Sequence, residues 1–415
     1  MTTIKKPINP FTSFDLVKQS TLRLALLAYD SLFYWRRNPR RISGEQCILI
    51  VVSDLDRQIN SGNHSYCQHL DFIFSSYENI ICVSRYEYRK SIDTAPYPVA
   101  AYPRYYVLIL LVRLLIFISR KVRGKDLLAP VITHAELCLW QQVLNSYKPS
   151  LILSICASRE LCLEAHRSKV PLIEFSHSEI NDLDYKYSPL YRINYPSSHN
   201  ADWYYVWSES SKATLSQWHT PNRILVGPSP SFMKRLNISL PESTLPLVLV
   251  TLQYGVNHSL PGFMRAELIE LIRSTKHDCC WLIMPHPNHR YYNQVNEIKH
   301  SLELQGVNSS IVCQDSTPHL PSYLHHVKYH ITEYSGSAIE SLHLKINTSV
   351  LNSSFYEILY ADNHDFRNYI HPCIPSRQSL LTFAQSHKRT DVKSTPGILN
   401  LKNLLVSNSN ASLNF

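Results

Sequence analysis

Short apolar runs alternate with segments of helical period through the second half of the chain. Residues 246–252 (PLVLVTL), 279–284 (CCWLIM), 309–315 (SSIVCQD), 329–333 (YHITE) and 347–352 (NTSVLN) read as buried strands. Between them, 261–274 (PGFMRAELIELIRS) sets Met264, Leu268, Ile269 and Ile272 at helical spacing, and further helices are expected over 292–304, near 322–326 and from SGSAIESLHL onward. Strand and helix repeated in this way predict a parallel sheet with helices on both faces.

The first half repeats the pattern less regularly. Strands are expected over 47–53, 79–85, 150–157, 170–176 and 202–208, with helices over 135–147 and 161–169. The expected fold is therefore α/β, with two Rossmann-like, doubly wound lobes facing across a cleft, residues 1–235 and 236–415. The Pro- and Ser-containing segment 223–247 joins them. The chain beyond Asp365 either stays with the second lobe or crosses back to the first. In open parallel sheets a ligand sits at the carboxyl ends of the strands, so the residues that follow each strand are the ones to read for chemistry.

Composition narrows the partners. The 415 residues exceed what one core organises, and 44% hydrophobic against 18% charged residues describe a globular chain. A net charge of +9 favours anionic partners or simply a basic surface. No Lys/Arg block interleaved with aromatics occurs, and no zinc-finger or RNP-like signature, which argues against nucleic acid. Ten scattered cysteines lack metal spacing, and the first twenty residues lack a secretory apolar core; both point to a cytoplasmic, reducing location. The apolar run 105–119 is interrupted by Arg113 and is shorter than the roughly 20 residues a bilayer crossing needs. It reads as a helix that is either buried or resting on a membrane. Arg36, Arg37, Arg40 and Arg41, and Lys121, Arg123 and Lys125, flank apolar stretches. They suit peripheral contact with the inner membrane leaflet, or they cap internal helices.

Neither GxGxxG nor GxxxxGK[ST] occurs in this glycine-poor chain, so a phosphate has to be held by other means. The leading candidate is the strand-to-helix turn at Tyr334, Ser335, Gly336 and Ser337, where unpaired backbone N–H groups, the positive end of a helix dipole and two hydroxyls converge. The same turn also describes an ordinary serine cap. His286 follows another strand and lies between Pro285 and Pro287, so its imidazole can donate to a phosphate oxygen; His289 and Arg290 add charge nearby. Glu340, five residues after Ser335, either accepts from ribose hydroxyls or complements the helix dipole. In the first half, His177 and Glu179 follow one strand, residues 154–160 another, and Asp54, Asp56 and His64 a third. His177, Asp54 or Glu179 can serve as general base toward a hydroxyl; alternatively His177 and Glu179 are polar groups of a strand-to-helix loop and nothing more, and the loop that carries Asp54 binds the acceptor. No acidic pair of the DxD kind ends a strand of the second half, so neither a metal nor a separate cofactor is called for.

The succession VWSES, VGPSP, MPHP and YSGSAIES resembles GT-B enzymes of bacterial capsule and lipopolysaccharide biosynthesis, among them polysialyltransferase, Kdo-transferase and CDP-glycerol glycerophosphotransferase relatives. The resemblance spans roughly residues 150–365. It implies that His286 with Pro287 and the Ser335–Ser337 turn contact a donor phosphate and that Glu340 reads the ribose. Ser176-His177-Ser178 stands where many such relatives carry Gln-His-Gly, keeping the histidine and losing the glycine. The implied activity is transfer of a sugar from a nucleotide sugar to a glycan or lipid-linked acceptor, inverting and metal-independent. Transfer of CMP-linked Kdo or sialic acid or of a CDP-linked alditol phosphate, nucleotide-sugar epimerisation, and non-catalytic glycan or nucleotide binding are the alternatives.

Overall fold

A computed structural model describes residues 47–53, 57–59, 65–67, 80–85, 99–100, 129–176, 179–182, 186–193, 195–233, 238, 240, 244–252, 264–285, 294–307, 312, 320–333, 335–361, 367–386 and 396–409. The described elements run in order through β1 (Ile48–Ser53), the antiparallel pair β2 (Arg57–Ile59) and β3 (Ser65–Cys67), β4 (Ile80–Arg85), β5 (Val99–Ala100) and helix α1 (Ala129–Tyr147). There follow β6 (Leu151–Ile155), α2 (Arg159–Arg167), β7 (Leu172–Phe175), α3 (Pro189–Arg192), β8 (Trp203–Val206), α4 (Glu209–Ser216) and β9 (Ile224–Val226). Seven of these strands form a parallel sheet in the order β5-β4-β1-β6-β7-β8-β9. The chain leaves β1 toward one edge and resumes at β6 on the other side, so the strand order reverses between β1 and β6.

The second half comprises β10 (Leu247–Thr251), α5 (Ala266–Ser274), β11 (Cys280–Met284), α6 (Gln294–Leu304), α7 (Leu320–Leu324), β12 (Val327–Thr332), α8 (Gly336–His343), β13 (Asn347–Val350), α9 (Ser353–Leu359), β14 (Ile370–His371), α10 (Arg377–Ser386) and α11 (Pro396–Ser409). Its sheet is parallel throughout, in the order β11-β10-β12-β13-β14, and Val312 extends it by a parallel bridge to Ile283 of β11. Here the order reverses between β10 and β12. Both halves are thus doubly wound, as the alternation of apolar runs predicts.

Burial explains the strand assignments. Val248 and Val250 of β10 and Tyr329 and Ile331 of β12 pack with α5 and α6, while Leu247 and Leu249 turn to α7 on the opposite face. Ala338, Ile339 and Leu342 of α8 join an apolar cluster that also contains Ile48, Leu153 and Phe175 of the first sheet and Ile398 and Leu401 of α11. One core therefore reaches into both halves, and α11 packs on β9 of the first sheet.

Several elements differ from expectation. Helix α1 begins at Ala129, six residues before the apolar period becomes legible: Pro130 suits a first turn, and Val131, Ile132 and Thr133 obscure the helical signal. The segment read as linker contributes β9, a three-residue edge strand too short to stand out beside its prolines. The boundary near residue 235, the run 105–119 and the flanking basic clusters lie outside the described residues. Among the described residues no helix is long and apolar enough to cross a membrane.

Helix ends compensate for the shortage of glycine. Lys148, Lys169 and Lys345 take left-handed φ values of 45°, 56° and 58° just beyond α1, α2 and α8. Val170 N–H donates to the Ala165 carbonyl and Ile346 N–H to that of Ser341, the six-residue closure usually built on glycine.

Candidate functional site

Helix α8 starts where β12 ends, beside β10, at the reversal point of the second sheet. Such a reversal opens a crevice at the strand tips, because the chain leaves one strand for one face and its neighbour for the other. Here α5 packs on one face and α8 on the other. Ser335 caps α8 from extended backbone, and its hydroxyl accepts from Ser337 N–H at 3.2 Å. Ser335→Ala is expected to lower stability by about 1 kcal/mol and Ser335→Gly by less. Thermal unfolding of the two variants checks this order.

Below the cap lies a closed ring of hydrogen bonds. Ser337 Oγ and Thr251 Oγ1 are 3.1 Å apart, Thr251 Oγ1 and His330 Nε2 2.9 Å, His330 Nδ1 and Ser341 Oγ 2.8 Å, and Ser341 Oγ donates to the Ser337 carbonyl at 2.9 Å. Burial pushes the His330 imidazole down to about 3, so it is neutral and carries one proton. Counting protons then fixes every direction. Ser341 spends its hydrogen on the carbonyl and must accept from Nδ1–H; Nε2 must accept from Thr251; Thr251 must accept from Ser337. The ring consumes the Ser337 proton inward. What α8 presents outward at this corner is its backbone N–H edge and the Ser335 hydroxyl, rather than two free hydroxyls.

Glu340, one turn further along, is buried, and its Oε1 accepts from Ser231 Oγ at 3.2 Å; Ser231 in turn lies 2.7 Å from Ser229. Both serines belong to the segment between the two sheets. Burial raises the Glu340 carboxyl to about 7, with the two serine hydroxyls offsetting part of the effect. To the two roles expected for Glu340 the structure adds a third, a tie from α8 to the inter-sheet segment.

Across the molecule, Glu179 is only 5% exposed and accepts from Ser208, the N-cap residue of α4. Its charge, after burial itself, raises the pKa of the Tyr360 phenol, whose hydroxyl donates to the Ser335 carbonyl at 3.4 Å. Glu179 thus sits at the junction of first-sheet and second-sheet elements, buried against Ser208 and near Tyr360. Cys156, at the tip of β6 by the first sheet's reversal point, is exposed and holds a left-handed φ of 55°. His177, Asp54, His286, Pro287 and Tyr334 lie outside the described residues, as do Asp56, His64, His289 and Arg290.

Other groups at the second crevice were not singled out by sequence. Thr251 and His330 lie in apolar strand runs, and Arg265 forms a two-pronged pair with Glu333, both contacts at 2.8 Å. The available signal was the polar side chain inside a buried strand: His330, between Tyr329 and Ile331, requires a partner wherever it points.

No family model and no curated protein matches this chain. Solved structures do. MnaA of S. aureus, in its co-structure with UDP, superposes with a TM-score of 0.50 at 12% identity, over 88% of this chain and 97% of that one. The UDP-GlcNAc 2-epimerase of Neisseria meningitidis bound to UDP-GlcNAc gives 0.50 at 13% identity, over 88% and 99%. The glycosyltransferase SnogD of Streptomyces nogalater gives 0.45 at 12% identity, over 87% and 100%. With both sheets parallel and doubly wound, and with the likeness to MnaA and to the Neisseria meningitidis epimerase over most of its length, the chain has the two-lobed, Rossmann-like GT-B fold.

Proposed function

We propose that the protein is an enzyme that moves a sugar from a nucleotide-activated donor to a hydroxyl of a growing surface polysaccharide or lipid-linked glycan. The observation that carries this reading is the second-lobe crevice, where the capped N-terminus of α8 meets the tips of β10 and β12. Backbone N–H groups at Ser335 and Gly336, with the dipole of α8 behind them, supply the fixed positive potential that a leaving diphosphate requires, without a mobile cation. His286 and Pro287, after β11, and Tyr334, before the cap, are assigned to the same donor lobe. Glu340 exchanges its serine contact for a ribose hydroxyl. The acceptor hydroxyl loses its proton to His177, Asp54 or Glu179 as its oxygen bonds to the anomeric carbon, and the carbon–oxygen bond to the diphosphate breaks with its electrons leaving on the nucleotide. We assign the acceptor to the first lobe, residues 1–235, near the inner leaflet, and the donor to residues 236–415.

A thermal-shift panel of UDP, GDP, CDP and CMP tests the donor site: a ligand present at a hundredfold its Kd adds about 2.7 kcal/mol to stability, a shift that is easily read. Transfer to a glycan acceptor that persists in EDTA supports the full reading. Conversion of a nucleotide sugar with no acceptor present replaces transfer by epimerisation, and binding without turnover of any donor reduces the protein to a scaffold.

A further inference from the structure

The crevice at the second reversal point is bridged by an ion pair that the donor site described above does not use. Arg265 is the N-cap residue of α5, the helix that follows β10; Glu333 follows directly on β12, two residues before the cap of α8. β10 and β12 are the neighbouring strands between which the order reverses, so the contact joins their two tips at the reversal point. Arg265 Nε donates to Glu333 Oε1 and Nη2 to Oε2, each at 2.8 Å. This engages one edge of the guanidinium and fixes its plane. The other edge, carrying Nη1, makes no hydrogen bond among the described residues. The arginine side chain is 45% exposed and its carboxylate partner 21%, so Glu333 is the inner member of the pair.

We infer that Arg265 is a phosphate-binding residue of this crevice and that Glu333 is its positioning residue, holding the guanidinium so that the Nη1 edge meets a phosphate oxygen of a nucleoside diphosphate. The inference rests on the donor-lobe reading. It adds oriented guanidinium donors to a corner where the helix offers only backbone N–H groups. A planar fork already aligned by a carboxylate loses less freedom on binding than a mobile lysine, which is why the residue type matters as well as its charge.

The test measures UDP and uridine binding calorimetrically on the full chain and on Arg265→Gln, Arg265→Lys and Glu333→Gln, with GDP and guanosine or CDP and cytidine substituted if the wild type prefers that base. The expected result is a loss of roughly 10-fold to 100-fold in diphosphate affinity for Arg265→Gln. Smaller losses of about 10-fold are expected for Arg265→Lys and Glu333→Gln, with nucleoside affinity unchanged in all three. A purely structural pair would move diphosphate and nucleoside together. That parallel loss, or diphosphate binding indifferent to all three changes, overturns the inference while leaving the donor lobe intact. Failure of the wild type to bind any nucleoside diphosphate overturns the donor-lobe reading and this inference with it.

Discussion

Replacing His330 by leucine is expected to destabilise the protein by about 2–4 kcal/mol, because it removes two hydrogen bonds and strands two buried hydroxyls at once. Thr251 loses its acceptor and Ser341 its donor, and neither can turn to water: His330 and Ser341 are fully buried and Thr251 is 8% exposed. Leucine fills a similar volume, so the loss reports the ring and not a cavity. Glutamine, whose amide offers both an acceptor and a donor, should recover part of it. Urea unfolding of the three proteins gives the comparison, and a leucine variant as stable as the wild type would mean that the ring contributes nothing. The leucine variant should also bind nucleotide more weakly than the glutamine variant, since the ring holds the first turn of α8 against β10 and β12.

The dependence of stability on pH should show opposed contributions from two buried groups. His330 is depressed to about 3 from an unfolded value near 6.5, so the unfolded chain binds more protons between those limits. Its contribution is complete above pH 6.5 and is lost as pH falls toward 3. Glu340 is raised from 4.5 to about 7, so the folded chain holds the extra proton, and its contribution is complete below pH 4.5 and lost as pH rises through 7. Each slope is about 1.4 kcal/mol per pH unit at full development. From 4.5 to 6.5 the two largely cancel, leaving a plateau from these groups. Glu340→Gln removes the decline toward neutral pH and should expose the His330 slope alone, rising to 6.5 and then level. A Glu340→Gln profile that parallels the wild type from pH 4.5 to 7.5 would show that this carboxyl is not held near neutrality by its burial.

The fold was largely legible. β10, β11, β12 and β13 announce themselves as short apolar runs, and the alternation with helices between them implies the parallel sheet before any pairing is known. The strand-to-helix turn at Ser335 was legible as well, because a cap is written in adjacent residues. The ring was not. Thr251 meets His330 across 79 positions and Ser337 across 86, and nothing local in any of the three distinguishes a partner from a solitary polar group. Arg265 and Glu333, 68 positions apart, are hidden for the same reason. Glu340 was legible as a carboxylate near a helix start, yet its serine partners come from a segment that reads only as punctuation. Glu179 follows a strand, as a general base would, and its burial against Ser208 is a contact across 29 positions that no local pattern announces.

The lysines that close α1, α2 and α8 bear on how the basic balance of the chain should be interpreted. Each places an exposed ammonium-bearing residue at the negative pole of its helix, where cations are favourable, while accepting the steric cost that glycine would avoid. Three of the positive charges in the +9 total therefore already have a local electrostatic counterpart in the backbone. An excess of cations accumulated in this way is a by-product of scarce glycine, and it reduces how much of the overall charge needs an external anion to account for it.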